Sequence, residues 1–115
     1  ILDPACTIGQ GGMISPNCVL TTNIKIADYV ILNVGVSVGH DVQIDDFVTC
    51  APQVAIAGNV HLKKGVSLGI GSIIREKLTI APFVTIGAQA CVLESINEPD
   101  SVLVGVPAKT LKNKI

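Results

Sequence analysis

At 115 residues and a net charge of −1, the chain has room for one domain and no excess of basic charge with which to hold nucleic acid or an anionic membrane. Hydrophobic residues make up 49% of it, yet aromatics are only 3% and tryptophan is absent, so the core must be narrow and built from aliphatic side chains of similar size. Charged residues, at 15%, are too few to coat an isolated elongated molecule, which predicts an outer face covered by further copies of the chain.

The first residues, Ile1-Leu2-Asp3-Pro4, carry neither the basic stretch of a signal peptide nor an initiating methionine. The expectation is a cytoplasmic protein cut from a longer chain, and no apolar run approaches the roughly 18 residues of a membrane span. From Ile8 an aliphatic residue recurs every sixth position: Ile8, Ile14, Leu20, Ile26, Leu32, Val38, Ile44, then Cys50, then Ile56, Leu62, Leu68, Ile74, Ile80, Ile86 and Val92. Only Cys50 breaks the aliphatic series, and a second apolar or small residue stands four places after each member, as at Val30, Val48, Val66 and Val84. Such a repeat governs the reading of everything else.

A period of six with two inward positions fits neither a helix nor a long alternating strand. The residue after each key aliphatic is mostly Gly, Ala, Ser, Asn or Asp, with proline following at 16, 52 and 82, and these residue types make turns. Each hexad is therefore a short strand and a corner, three hexads close a triangular coil, and residues eighteen apart become vertical neighbours. The fold class expected is all-β, a parallel β-helix forming a triangular prism of about five coils over residues 1–97. At Glu98-Pro99-Asp100 the rhythm lapses, and residues 98–115 are expected to cap the last coil and protect its edge, so that 1–115 is a single domain. Its basic tail, Lys109, Lys112 and Lys114, reads as a solvated end. Cys18 and Cys50 fall on inward positions and read as small core hydrophobes, whereas Cys91 falls outward.

The column through His40 reads Thr22, His40, Gly58, Glu76, Glu94. His40 stands two residues after the inward Val38, on an outer corner, and imidazole is the natural proton acceptor near neutral pH. Asp41 beside it is placed to hold the imidazole in its useful tautomer. One coil along lies Gly58, whose backbone N–H, if accessible, would suit a carbonyl oxygen. A second column, Ser15, Asn33, Ala51, Gly69, Gly87, is flat in its upper half, a surface for an extended ligand. His61 reads as a surface histidine. Two histidines without a cysteine-histidine cluster do not make a zinc site, and Gly9-Gln10-Gly11-Gly12 is a repeat corner rather than a phosphate loop.

The stretches Ile31-Leu32-Asn33, Val38-Gly39-His40-Asp41, Ala57-Gly58-Asn59-Val60, Leu68-Gly69-Ile70-Gly71-Ser72, Ile86-Gly87-Ala88 and Val104-Gly105-Val106-Pro107-Ala108-Lys109 together resemble the hexapeptide-repeat acyltransferases. Within them the likeness is greatest to the group of sialic acid O-acetyltransferases and bacterial amino-sugar N-acetyltransferases. This resemblance implies a left-handed coil, a homotrimer with its active sites in grooves between neighbouring prisms, acetyl-CoA as acyl donor and no metal. By the same resemblance His40 is the general base, Asp41 the acid that supports it and Asn33 a polar residue of the acceptor pocket. Gly58 is then a backbone donor to the thioester, and Gly69, Ile70, Gly87 and Ala88 the wall along which the pantetheine arm runs. Thr49 stands where some members carry a second histidine, at a position that implies a cofactor or acceptor contact. The acceptor implied is an amine or hydroxyl of a nucleotide-activated amino sugar or a sialic acid, and the family's N-terminal nucleotide-sugar-binding domain has no counterpart in these residues. Two other readings share the repeat, a non-catalytic oligomerisation scaffold and an acyltransferase with a non-sugar acceptor such as serine.

Overall fold

The computed structural model describes residues 4–111; Ile1 to Asp3 and, of the basic tail, Lys112 and Lys114 lie outside the described residues. Each hexad contributes one two-residue strand followed by a turn, because the inward aliphatic and the residue before it are extended while the polar or small residues that follow bend the chain. Successive strands fall in turn on three parallel sheets, here faces A, B and C. Face A holds Gln43–Ile44 and His61–Leu62, face B Ile31–Leu32 and Thr49–Cys50, and face C Ser37–Val38 and Ala55–Ile56. The pairing register is eighteen residues throughout, with Gln43 opposite His61, Ile31 opposite Thr49 and Ser37 opposite Ala55. The chain is a left-handed parallel β-helix of about five turns without a helix among the described residues.

Packing follows the repeat. Leu32, Val36, Ile44, Val48, Cys50, Val54, Leu62 and Val66 have no solvent exposure, and each is stacked between its neighbours one coil above and below. Burial pushes the Cys50 thiol up to about 12, which keeps it a protonated core hydrophobe. The lowest coil differs: Ile8 and Ile14 occupy inward positions and are still 40% and 38% exposed, since no described coil lies beneath them. At the other end Val102–Val104 adds a parallel strand to face B against Thr85–Ile86, and Lys109–Thr110 folds back on it antiparallel. The free edge of face B is thereby covered.

Corners carry the polar chemistry. At nearly every corner one residue adopts a left-handed conformation, among them Asn23, Asp41 and Asn59 with φ of 53°, 57° and 59°. Asn and Asp tolerate this region better than other residues with a side chain. Among the described residues no helix is long and apolar enough to cross a membrane.

Candidate active site

His40 and Asp41 occupy the corner between faces C and A, just after the strand Ser37–Val38. The imidazole Nδ1 lies 2.9 Å from Asp41 Oδ2, and the two side chains are 57% and 44% exposed. An exposed histidine paired to a carboxylate at the adjacent residue has no part in the core. With its Nδ1–H donated to the carboxylate, the neutral ring carries its lone pair on Nε2. Hydrogen bonds from His40 first and Asn23 second hold the Asp41 carboxyl below its ordinary value of 3.8, so Asp41 is an anion throughout the neutral range.

The ring rests on Gly58. A Cβ built on Gly58 would come within 2.5 Å of His40 Nε2 and 2.8 Å of Cε1, so the imidazole occupies the space a side chain would need. The sequence reading asks for an accessible backbone N–H here; the residue is in fact buried beneath the ring. Among the described residues its N–H has no hydrogen-bond acceptor, while its carbonyl accepts from the Lys77 N–H at 3.0 Å. A backbone N–H without an acceptor, next to an imidazole nitrogen, is the kind of donor that serves an oxygen gaining negative charge once the ring moves off it.

The other expected residues lie elsewhere on the prism. Gly69, Ile70, Gly87 and Ala88 line the corner between faces B and C. Gly69 nests so closely on the next coil that a Cβ there would stand 2.7 Å from the Ala88 N and 2.8 Å from the Ile86 carbonyl oxygen. The result is a flat strip with Ile70 standing 49% exposed above it. Asn33 belongs to this corner too, with its Nδ2 donating to the Cys50 carbonyl at 2.8 Å and its carbonyl accepting from the Cys18 thiol at 3.1 Å. Thr49 is half-buried in a strand of face B. The dyad and the strip thus sit at opposite edges of face C, on a molecule measuring 42 × 23 × 22 Å, and one prism does not bring them together.

Two arrangements were not anticipated from the sequence. His61 is half-buried, with Nε2 2.9 Å from Asp45 Oδ2, and Gln43 donates to the second oxygen of that carboxylate at 3.1 Å. Asn23 donates to Asp41 Oδ1. Subtracting eighteen from 41 finds Asn23, so this contact was within reach of the column arithmetic. Asp45 and His61 are sixteen apart and lie off any column.

No protein-family model and no curated protein matches the chain. Among solved structures, WeeI from Acinetobacter baumannii AYE matches at 33% identity and a TM-score of 0.88, covering 92% of this chain and 52% of its own. The acetyltransferase domain of PglB from Neisseria gonorrhoeae FA1090, in complex with acetyl coenzyme A, matches at 32% identity and a TM-score of 0.89, over 95% of this chain and 53% of that one. A variant of perosamine N-acetyltransferase from Caulobacter crescentus, in complex with CoA and GDP-perosamine, matches at 25% identity and a TM-score of 0.94, over 96% and 52%. The chain spans about half the length of these solved chains.

Proposed function

We propose that this chain, a hexapeptide-repeat β-helix similar to sugar N-acetyltransferases, carries acetyl transfer from acetyl-CoA to the amine of a nucleotide-activated amino sugar. The observation that carries the reading is the His40–Asp41 pair seated on Gly58, with Nδ1 engaged at 2.9 Å and Nε2 over a free backbone donor. The amine is favoured over a hydroxyl because similar proteins are N-acetyltransferases, one of them bound to CoA and GDP-perosamine.

In the mechanism, the acceptor nitrogen attacks the thioester carbonyl carbon as His40 Nε2 takes a proton from it. The carbonyl oxygen becomes an oxyanion that accepts from the Gly58 N–H. Collapse of the tetrahedral intermediate expels the CoA thiolate, which takes up a proton, and leaves the amide. Asp41 stabilises the imidazolium formed on the way. No covalent acyl-enzyme is required, and Cys50, buried and held protonated, is unsuited to form one.

Strip and dyad at opposite edges of face C support a homotrimer. Three prisms set around a three-fold axis can bring the strip of one, along which the pantetheine arm is proposed to run, against the His40 corner of the next. Sedimentation at micromolar concentration should give a trimer, and a stable, fully active monomer would contradict the shared groove.

Gly58→Ala tests the seat of the imidazole. The new Cβ meets the end of an exposed side chain, which can swing away, so the melting temperature should stay close to the parent's. The displaced ring should lower turnover about 10- to 100-fold, the scale of a misplacement near 1 Å. Turnover equal to the parent's would show that the position of the ring over Gly58 has no part in the reaction.

A further inference from the structure

The Asp41 carboxylate is exposed, and among the described residues its side-chain hydrogen bonds are to His40, on Oδ2, and to Asn23, on Oδ1. An exposed carboxylate held at one oxygen alone can rotate about its side-chain torsions. Held at both, it presents one fixed edge to the imidazole. Asn23 lies directly one coil below Asp41, and both adopt the left-handed corner conformation, with φ of 53° and 57°, so their side chains leave equivalent corners of the stack.

We propose that Asn23 is a positioning residue, acting through Asp41 to keep the His40 proton on Nδ1 and the lone pair on Nε2 above Gly58. The line Asn23, Asp41, His40, Gly58 then runs along the prism axis through three successive coils. The same construction occurs a second time in the chain, where Gln43 holds one oxygen of Asp45 and His61 the other, at 3.1 Å and 2.9 Å. In both, an amide fixes the carboxylate and the carboxylate fixes an imidazole. The hydrogen bond from Asn23 is also the second cause of the lowered Asp41 carboxyl, which keeps it an acceptor toward Nδ1. Partners of this kind set the tautomer and orientation of a functional histidine.

The kinetic side of this inference rests on His40 being the base; the tautomer side does not. The chain has two histidines, so ¹⁵N spectra of the imidazole nitrogens can be assigned with a single His61 variant. Asn23→Gly removes the amide while keeping a backbone free to adopt a positive φ, and Gln43→Ala, which breaks the other clamp, is the matched control. In the parent, neutral His40 should be predominantly the Nδ1–H tautomer. In Asn23→Gly the tautomers should mix, and kcat should fall roughly tenfold, the lower end of the effect seen for outer partners of metal-bound histidines, with KM for acetyl-CoA unchanged; Gln43→Ala should leave His40 and kcat as they were. An unaltered His40 tautomer ratio in Asn23→Gly overturns the inference whatever the activity. If the tautomers mix but His40→Ala turns over like the parent, Asn23 still positions the ring and it is the base assignment that fails.

Discussion

Replacing His40 with alanine is expected to lower the rate of acetyl transfer roughly 10²–10⁴-fold and to leave acetyl-CoA affinity near that of the parent. The two quantities separate because they depend on different edges of the prism. In the proposed mechanism affinity rests on the strip of Gly69, Ile70, Gly87 and Ala88, whereas His40 would handle a proton that moves only in the transition state, so its loss should appear in kcat more than in binding. Raising the pH should partly restore the variant with an amine acceptor, because the free amine then forms without a base. A sugar hydroxyl should show no such recovery below about pH 10, so the pH profile also reports which atom is acetylated. Asp41 should not limit the rate near neutrality. Its folded-state value is depressed, so the stabilisation it lends the pair is fully present above the ordinary 3.8 and is lost only as the pH falls through the lowered value.

Val48→Asp is expected to abolish the folded protein. Val48 has no exposure and sits in the inward column between Val30 and Val66, where a carboxylate would meet only aliphatic groups. Burying it without a partner costs several kcal/mol, a large share of the roughly 5–15 kcal/mol that holds a domain together. A repeat array suffers further, because each coil is stabilised by the coils on either side. Circular dichroism and sedimentation should find neither parental strand content nor the parental assembly. A Val48→Asp protein that melts like the parent would place this side chain outside the prism and contradict the register.

The prism was readable because its register is arithmetic. Every inward position from Leu20 to Val92 that the six-residue step selects is buried, and the eighteen-residue column that set Gly58 beside His40 is the pairing register itself. What the period could not supply was the direction of each side chain. The column set Gly58 beside His40, but not that the His40 ring leans along the axis and covers it. His61 reaches diagonally to Asp45, two residues off its column, so only the folded chain reveals that pair. Ile8 and Ile14 obey the repeat and remain exposed, since burial depends on what lies beneath a coil as well as on its pattern. His40 and the Gly69–Ala88 strip fall on different columns, as the arithmetic had them; columns relate positions along one prism, so the proposed groove between prisms would lie outside their reach.

The central claim, that this prism transfers acetyl groups with His40 as the base, is tested most directly by following CoA release and product mass together. The assay would supply acetyl-CoA with nucleotide-linked amino sugars, using the parent and His40→Ala under saturating conditions. The parent should release CoA only when an amine acceptor is present and yield the N-acetylated sugar, while His40→Ala should bind acetyl-CoA and turn over at least a hundredfold more slowly, the lower bound for loss of a general base being roughly 10². Acetyl-CoA binding without acetylated product in the parent, or near-parental turnover in His40→Ala, would contradict that claim.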